Sequence, residues 1–119
     1  QLRDKIDQLY RGSGYQPPKL DEGCERLGIT SKKDREIIQV LVSEGILIRV
    51  KDDLLYHQET LESIKDSLTI FLKEKNEISA SGFRDLLGIT RKHAIPLLEH
   101  LDSTRFTMRV GDNRILRKK

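Results

Sequence analysis

The chain has 119 residues, of which 36% are apolar, 34% charged and only 5% aromatic, so it fits one ordinary domain or two very small ones with thin aliphatic cores. No run is long or apolar enough to cross a bilayer, the N-terminus carries no signal-peptide pattern, and the lone Cys24 excludes an internal disulfide, which agrees with a reducing, cytoplasmic location. The net charge of +3 names no partner, but its distribution does: residues 1–60 sum to −1 and residues 61–119 to +4. From Phe83 onward nine basic residues face four acidic ones, an asymmetry that favours a polyanion for the C-terminal part.

In chain order, Leu2, Ile6, Leu9 and Tyr10 share one face of a first helix, which Gly12-Ser13-Gly14 ends. A short helix follows around 20–27, with Gly28 as its C-cap, where positive φ is cheap. Thr30-Ser31 can cap a third helix that turns Ile37, Ile38 and Leu41 inward. Gly45 stops it, 46–50 reads as a strand, Lys51-Asp52-Asp53 turns the chain, and 54–56 returns. The same order then recurs. Leu61, Ile64, Leu68, Phe71 and Leu72 form a helical stripe, and a short helix over 81–87 is closed by Gly88. Thr90 caps a helix that buries Leu97, Leu98 and Leu101, and strands at 106–110 and 114–117 flank Gly111-Asp112-Asn113.

The recurrence is an internal repeat. Leu27-Gly28-Ile29-Thr30 returns as Leu87-Gly88-Ile89-Thr90, and in the same register Lys32, Leu41, Ser43, Arg49-Val50 and Asp52 match Lys92, Leu101, Ser103, Arg109-Val110 and Asp112. Three helices followed by a hairpin make a winged helix, so the chain is predicted to be mainly α with small β-hairpins, as tandem winged-helix domains over 1–60 and 61–119. Pro96 falls inside the predicted third helix of the second copy, which must either bend there or begin its regular part late. The opening residue, Gln rather than Met, reads as a fragment of a longer protein.

In helix-turn-helix proteins the N-terminal end of the second helix of the motif meets the nucleic acid. Here that segment is Thr90-Arg91-Lys92-His93. Unpaired N–H groups and the helix dipole make it a site for phosphate, Arg91 offers a bidentate fork, Lys92 a point charge, and His93 a ring that can stack on a splayed base. Positive side chains in a first turn oppose the dipole, so a bound anion explains them better than folding does. The matching first-copy segment, Ser31-Lys32-Lys33-Asp34-Arg35, sits among acids and reads as a spacer or structural copy. The second hairpin adds Arg109, Arg114, Arg117 and Lys118, with Arg109 expected opposite Met108 and Val110 and the last three residues readable as a disordered tail. No catalytic, metal-binding or cofactor-binding constellation is present: His57, His93 and His100 have no zinc spacing with Cys24, which reads as semi-buried packing, and no Gly-rich phosphate loop follows a strand.

The stretch from Phe83 through Leu87-Gly88-Ile89-Thr90-Arg91-Lys92-His93-Ala94-Ile95-Pro96 to Asp102, continued by Thr107-Met108-Arg109-Val110-Gly111-Asp112-Asn113-Arg114, resembles the C-terminal domain of bacterial selenocysteine-specific elongation factors. The resemblance covers most of residues 77–118, and the first copy resembles, more loosely, the preceding winged helix of that family. It implies tandem winged helices that hold an mRNA hairpin, the selenocysteine insertion element, in a factor whose GTPase portion lies outside this chain. It also implies that Arg91, Lys92 and His93, with Thr90, meet the RNA and that Arg84, Arg109 and Arg114 support them; where this sequence has His93 the family commonly has an aromatic ring. The first copy is then free to touch the ribosome. A DNA-binding regulator and a protein-interaction module use the same fold and stay open, although nothing resembles a dimerisation helix and a monomer is expected.

Overall fold

The computed structural model describes residues 2–117, which fall into two compact units, Gln1–Glu62 and Ser63–Lys119. Among the described residues the first unit holds α1 (Leu2–Arg11), α2 (Leu20–Arg26), α3 (Lys32–Ser43), β1 (Leu47–Lys51) and β2 (Leu54–His57). Helix α4 (Gln58–Lys75) carries the chain across the boundary, and the second unit continues with β3 (Ile78–Ser79), α5 (Ala80–Leu87), α6 (Arg91–Ser103), β4 (Thr107–Val110) and β5 (Asn113–Leu116). Each unit is therefore mainly helical and closes on an antiparallel hairpin, the winged-helix order.

The first unit packs Ile6, Tyr10, Cys24, Ile29, Ile38, Leu41, Leu47 and Leu55 into one core. Tyr56, fully buried, donates its hydroxyl to the Tyr15 carbonyl at 2.7 Å, so the loop after α1 is tied to β2. Burial pushes the Tyr10 hydroxyl up to about 12, with the neighbouring Cys24 and Asp53 adding to it. His57, also fully buried, accepts the Glu59 backbone N–H at Nδ1, which leaves Nε2 to donate to Asp7 at 2.8 Å. That imidazole serves as a cap for the first turn of α4, and sequence spacing gave no hint of it. Burial raises the Asp7 carboxyl, but the hydrogen bonds from His57 and Arg11 outweigh it and hold the group below its ordinary value.

In the second unit Ile64, Leu68 and Leu72 of α4 are buried, as are Ile78, Phe83, Leu97, Leu98 and Leu101, which agrees with the aliphatic stripes read from the sequence. Its sheet has three strands in the order β3-β5-β4, with Ile78 opposite Arg114 and Ser79 opposite Asn113. The third strand was not anticipated. In the first unit Pro18 and Lys19 occupy the equivalent segment, preceded by Pro17; the prolines have no N–H to give, and no strand forms there among the described residues, although Leu20 N donates to Asp53 O at 2.9 Å.

Helix α6 begins at Arg91 and runs through Pro96 without interruption, so its regular part does not begin late. The acceptor that Pro96 leaves without its helical donor is the carbonyl of Lys92, in the solvent-facing first turn where water serves it at little cost. Gly88 closes α5 in the left-handed region at φ 67, as expected of it. After α6 the same conformation is taken by Arg105 at φ 67, where the first unit has Gly45 at φ 78. An L-residue there costs about 1–2 kcal/mol, against about 0.3–1 kcal/mol returned by a cation near a helix C-terminus. Stability alone therefore gives no reason for arginine at this position. Gly88→Ala, by the same reasoning, is expected to destabilise the second unit by about 1–2 kcal/mol in urea unfolding.

Candidate nucleic-acid interface

The first turn of α6 is set up by its cap. Thr90 has extended backbone (φ −93, ψ 168) and its carbonyl accepts from His93 N at 3.2 Å and Ala94 N at 3.0 Å, which aims the following N–H groups outward. Arg91 and Lys92 are exposed on this turn, and it contains no acidic residue. The helix end is therefore positive twice over, from its backbone and from its side chains.

The equivalent turn of α3 is partly offset from within, although Lys32 and Lys33 are exposed on it. Ser31 Oγ accepts from Asp34 N at 3.0 Å, Asp34 supplies a negative charge in the first turn, and Arg35 pairs with Asp21 at 2.5 Å. A shallow groove of about 230 Å³ alongside it mixes Lys32 and Arg35 with Glu36, Leu20 and Ile38. Two helices in the same place in the same fold thus differ in their first turns, which hold an acid in α3 and none in α6.

The other basic residues expected at the interface are distributed differently. His93 is buried, 9% exposed, so in this conformation its ring is largely covered rather than presented for stacking. Arg84, on α5, is half-buried, and its Nε finds no hydrogen-bond partner among the described residues. Arg109 is exposed on β4, where its Nε donates to the Gly111 carbonyl at 3.0 Å and its guanidinium lies 3.9 Å from Asp112. Arg109 alternates with Met108 and Val110 along β4, and both of these are exposed as well, so this end of the wing has solvent on both sides. Lys118 and Lys119 lie outside the described residues.

Arg114 is the clearest departure. It is 7% exposed and donates to Asp102 Oδ2 through Nε at 3.2 Å and through a terminal nitrogen at 3.1 Å, while Thr107 Oγ1 donates to Asp102 Oδ1 at 2.6 Å. A single carboxylate at the end of α6 thereby holds both strands of the wing. Arg114 acts as a positioning residue rather than an exposed charge, because its guanidinium is consumed internally. The sequence did carry a signal for this. At the matching positions the first copy has Val42, Leu47 and Leu54, so three apolar residues are exchanged together for Asp102, Thr107 and Arg114.

His100, near the other end of α6, titrates below its ordinary value because of burial and, secondarily, the charge of Lys65. Among the described residues no group of three metal-ligating side chains comes together, and no helix is long and apolar enough to cross a membrane.

Fold and site together define a tandem winged-helix protein whose second recognition helix carries an uncompensated positive end. The family described as the winged helix of elongation factor SelB matches residues 70–116. A selenocysteine-specific elongation factor from Desulfomicrobium baculatum is 36% identical over 99% of this chain, and one from Escherichia coli strain K12 is 27% identical over 95%. The chain spans about a fifth of the length of these relatives, 19% and 18% respectively. Among solved structures, the mRNA-binding domain of E. coli elongation factor SelB, determined in complex with SECIS RNA, superposes with a TM-score of 0.82 at 25% identity, covering 99% of this chain and 98% of that one. The chain belongs to the winged-helix domains of the selenocysteine-specific elongation factor family.

Two outcomes follow for this unit. Asp102→Ala strands the buried Arg114 guanidinium and is expected to cost about 2–4 kcal/mol, whereas the triple change Asp102→Val, Thr107→Leu and Arg114→Leu, copying the first unit, recovers most of that in chemical denaturation. For His100 the folded state favours the neutral ring, so its stabilising contribution is complete above the ordinary imidazole value of 6.5 and is lost as pH falls below it. Melting of the wild-type chain should therefore drop between pH 7 and pH 5 more than that of His100→Gln.

Proposed function

We propose that this chain is the mRNA-hairpin-binding part of a selenocysteine-specific elongation factor, with the selenocysteine insertion element as its ligand and no catalytic step of its own. The observation that carries the reading is the first turn of α6, where Arg91 and Lys92 stand exposed at a helix N-terminus with no acid to balance them. Arg91 grips phosphate oxygens or a guanine edge through two parallel N–H groups, and Lys92 adds a longer-range charge. Thr90 sets the direction of the turn, and Arg84 and Arg109 flank it from α5 and the wing. Arg114 and His93 contribute from beneath by holding the wing and the helix in place. The E. coli domain solved with SECIS RNA supports this reading through its likeness over nearly the whole chain.

An A-form stem hides its base edges in a deep, narrow major groove, so a helix end of this size reads a loop and the backbone beside it. The first winged helix, whose α3 end carries an acid in its first turn, acts as a spacer or touches the ribosome. A GTPase portion lies in the remainder of the longer protein, which acts as a monomer in the cytoplasm.

The test is a titration of a labelled mRNA hairpin taken from beside a selenocysteine UGA codon, with duplex DNA as competitor. Arg91→Ala is expected to cost about 1–3 kcal/mol and Lys92→Ala somewhat less, each lowering the salt slope by about one, while Lys32→Ala leaves binding unchanged. Equal competition by DNA, or equal loss on Lys32→Ala, would replace the decoding role with general nucleic-acid binding.

A further inference from the structure

The wing of the second unit has an open apolar face. Side chains alternate along a strand, so Met108 and Val110 of β4 point the same way, opposite to the buried Thr107. Their partners across the ladder are Ile115 and Asn113 of β5, and Ser79 of β3 lies beyond Asn113. All five side chains are uncharged. Met108 is 40% and Val110 52% exposed, and Ile115 is half-buried. Two of the four large apolar side chains that are exposed among the described residues therefore sit together on the edge strand of one sheet. Glu77 borders the face, where its carboxylate accepts from the Asn113 side-chain amide.

The first unit closes the same face with its own chain. There Ile48 pairs with Tyr56 as Met108 pairs with Ile115. Leu47 and Leu55 point into the core, so Ile48 and Tyr56 point outward, yet Tyr56 is fully buried and Ile48 is half-buried. The Tyr56 hydroxyl donates to the Tyr15 carbonyl at 2.7 Å, so the loop between α1 and α2 reaches this face. That loop, residues 12–19, is longer than its counterpart between α4 and α5, residues 76–79, which is drawn into the sheet as β3. The fold can therefore cover this face from within, and the second unit leaves it exposed.

We infer that Met108 and Val110 form a platform for an unpaired base of the bound RNA hairpin, with Arg109 on the phosphate beside it. The inference rests on the hairpin-binding reading and extends that interface along the wing. A nucleotide offers an apolar ring face and an anionic phosphate close together, and β4 offers two apolar side chains with an exposed guanidinium on the residue between them. The methionine thioether also packs favourably at the edge of an aromatic ring. A base inside a stem is stacked on its neighbours and cannot lie on such a platform, so the contact selects a loop or a bulge over a paired stem. The bonds from Thr107 and Arg114 to Asp102 hold the platform in place relative to α6.

The test titrates the labelled hairpin against the full chain at several salt concentrations. Met108→Thr with Val110→Thr keeps strand-forming side chains, so the melting temperature stays as it is while hairpin binding weakens by about three- to tenfold with no change in salt slope. Arg109→Ala instead lowers the slope by about 0.7–0.9. Hairpins in which one unpaired base at a time is reduced to an abasic sugar identify the base: one of them binds the wild type more weakly but costs the double variant nothing further. A double variant that binds the hairpin like the wild type overturns the platform and leaves the face to a protein partner. So does a loss of affinity that comes with a lower melting temperature, or a set of abasic losses equal in both proteins. A single-stranded oligonucleotide with no hairpin separates this inference from the reading beneath it. If the wild type binds that strand, the double variant does not, and the hairpin is ignored by both, the platform stands and the decoding role falls; binding to neither RNA overturns both.

Discussion

A carboxylate sunk between a helix and a hairpin has to be answered by donors, and Asp102 is answered on both oxygens. Arg114 takes one and Thr107 the other, so the end of the recognition helix is bonded to both strands of the wing. Breaking such a pair strands a charge in a low-dielectric setting, whereas replacing all its members with apolar groups need cost little. The first unit illustrates the second solution with Val42, Leu47 and Leu54, of which Leu47 and Leu54 are buried. What the polar version adds is direction. Hydrogen bonds fix the angle of the wing relative to α6 more narrowly than aliphatic packing does.

The two units are one scaffold with two electrostatic programmes. In the first, four arginines are matched by acids: Arg3 with Glu44, Arg11 with Asp7 and Glu59, Arg26 with Glu22, Arg35 with Asp21. Exposed pairs of this kind contribute little to stability, but they cancel the field that would attract a polyanion. In the second, Arg109 and Arg114 pair with Asp112 and Asp102 in the wing, and Arg91 and Lys92 stand at a helix end without an acid in its first turn. Net charge of the whole chain hides this contrast, because a balanced half dilutes an unbalanced one.

How the matched pieces reach their places depends on ordinary local chemistry. Left-handed glycines end the short helices, Ser31 and Ser79 accept from backbone N–H groups at the starts of α3 and α5, and His57 does so for α4 with an imidazole. Thr90 stands at the start of α6 without a side-chain capping bond to that helix. Helix α6 is therefore the one whose first turn is least satisfied from within its own capping residue and its own acids.

Much of this was legible in the sequence because it is local and periodic. The helical stripes, the glycine stops, the hairpin turns and the repeat all follow from spacing along the chain, and so did the exposed pair Arg91 and Lys92, since a helix N-terminus is defined by its neighbours in sequence. Residues whose role depends on a partner far along the chain were not legible. His57 meets Asp7 across fifty residues, and Arg114 and His93 look like surface cations until the fold buries them. The strand at Ile78–Ser79 exists only because β5 offers it a free edge, and its absence from the first unit follows from two prolines whose effect needs that edge to be seen. Composition and order fixed which elements form; burial and long-range pairing decided which charges remain for a ligand, because a charge is available only when nothing folded against it has already used it.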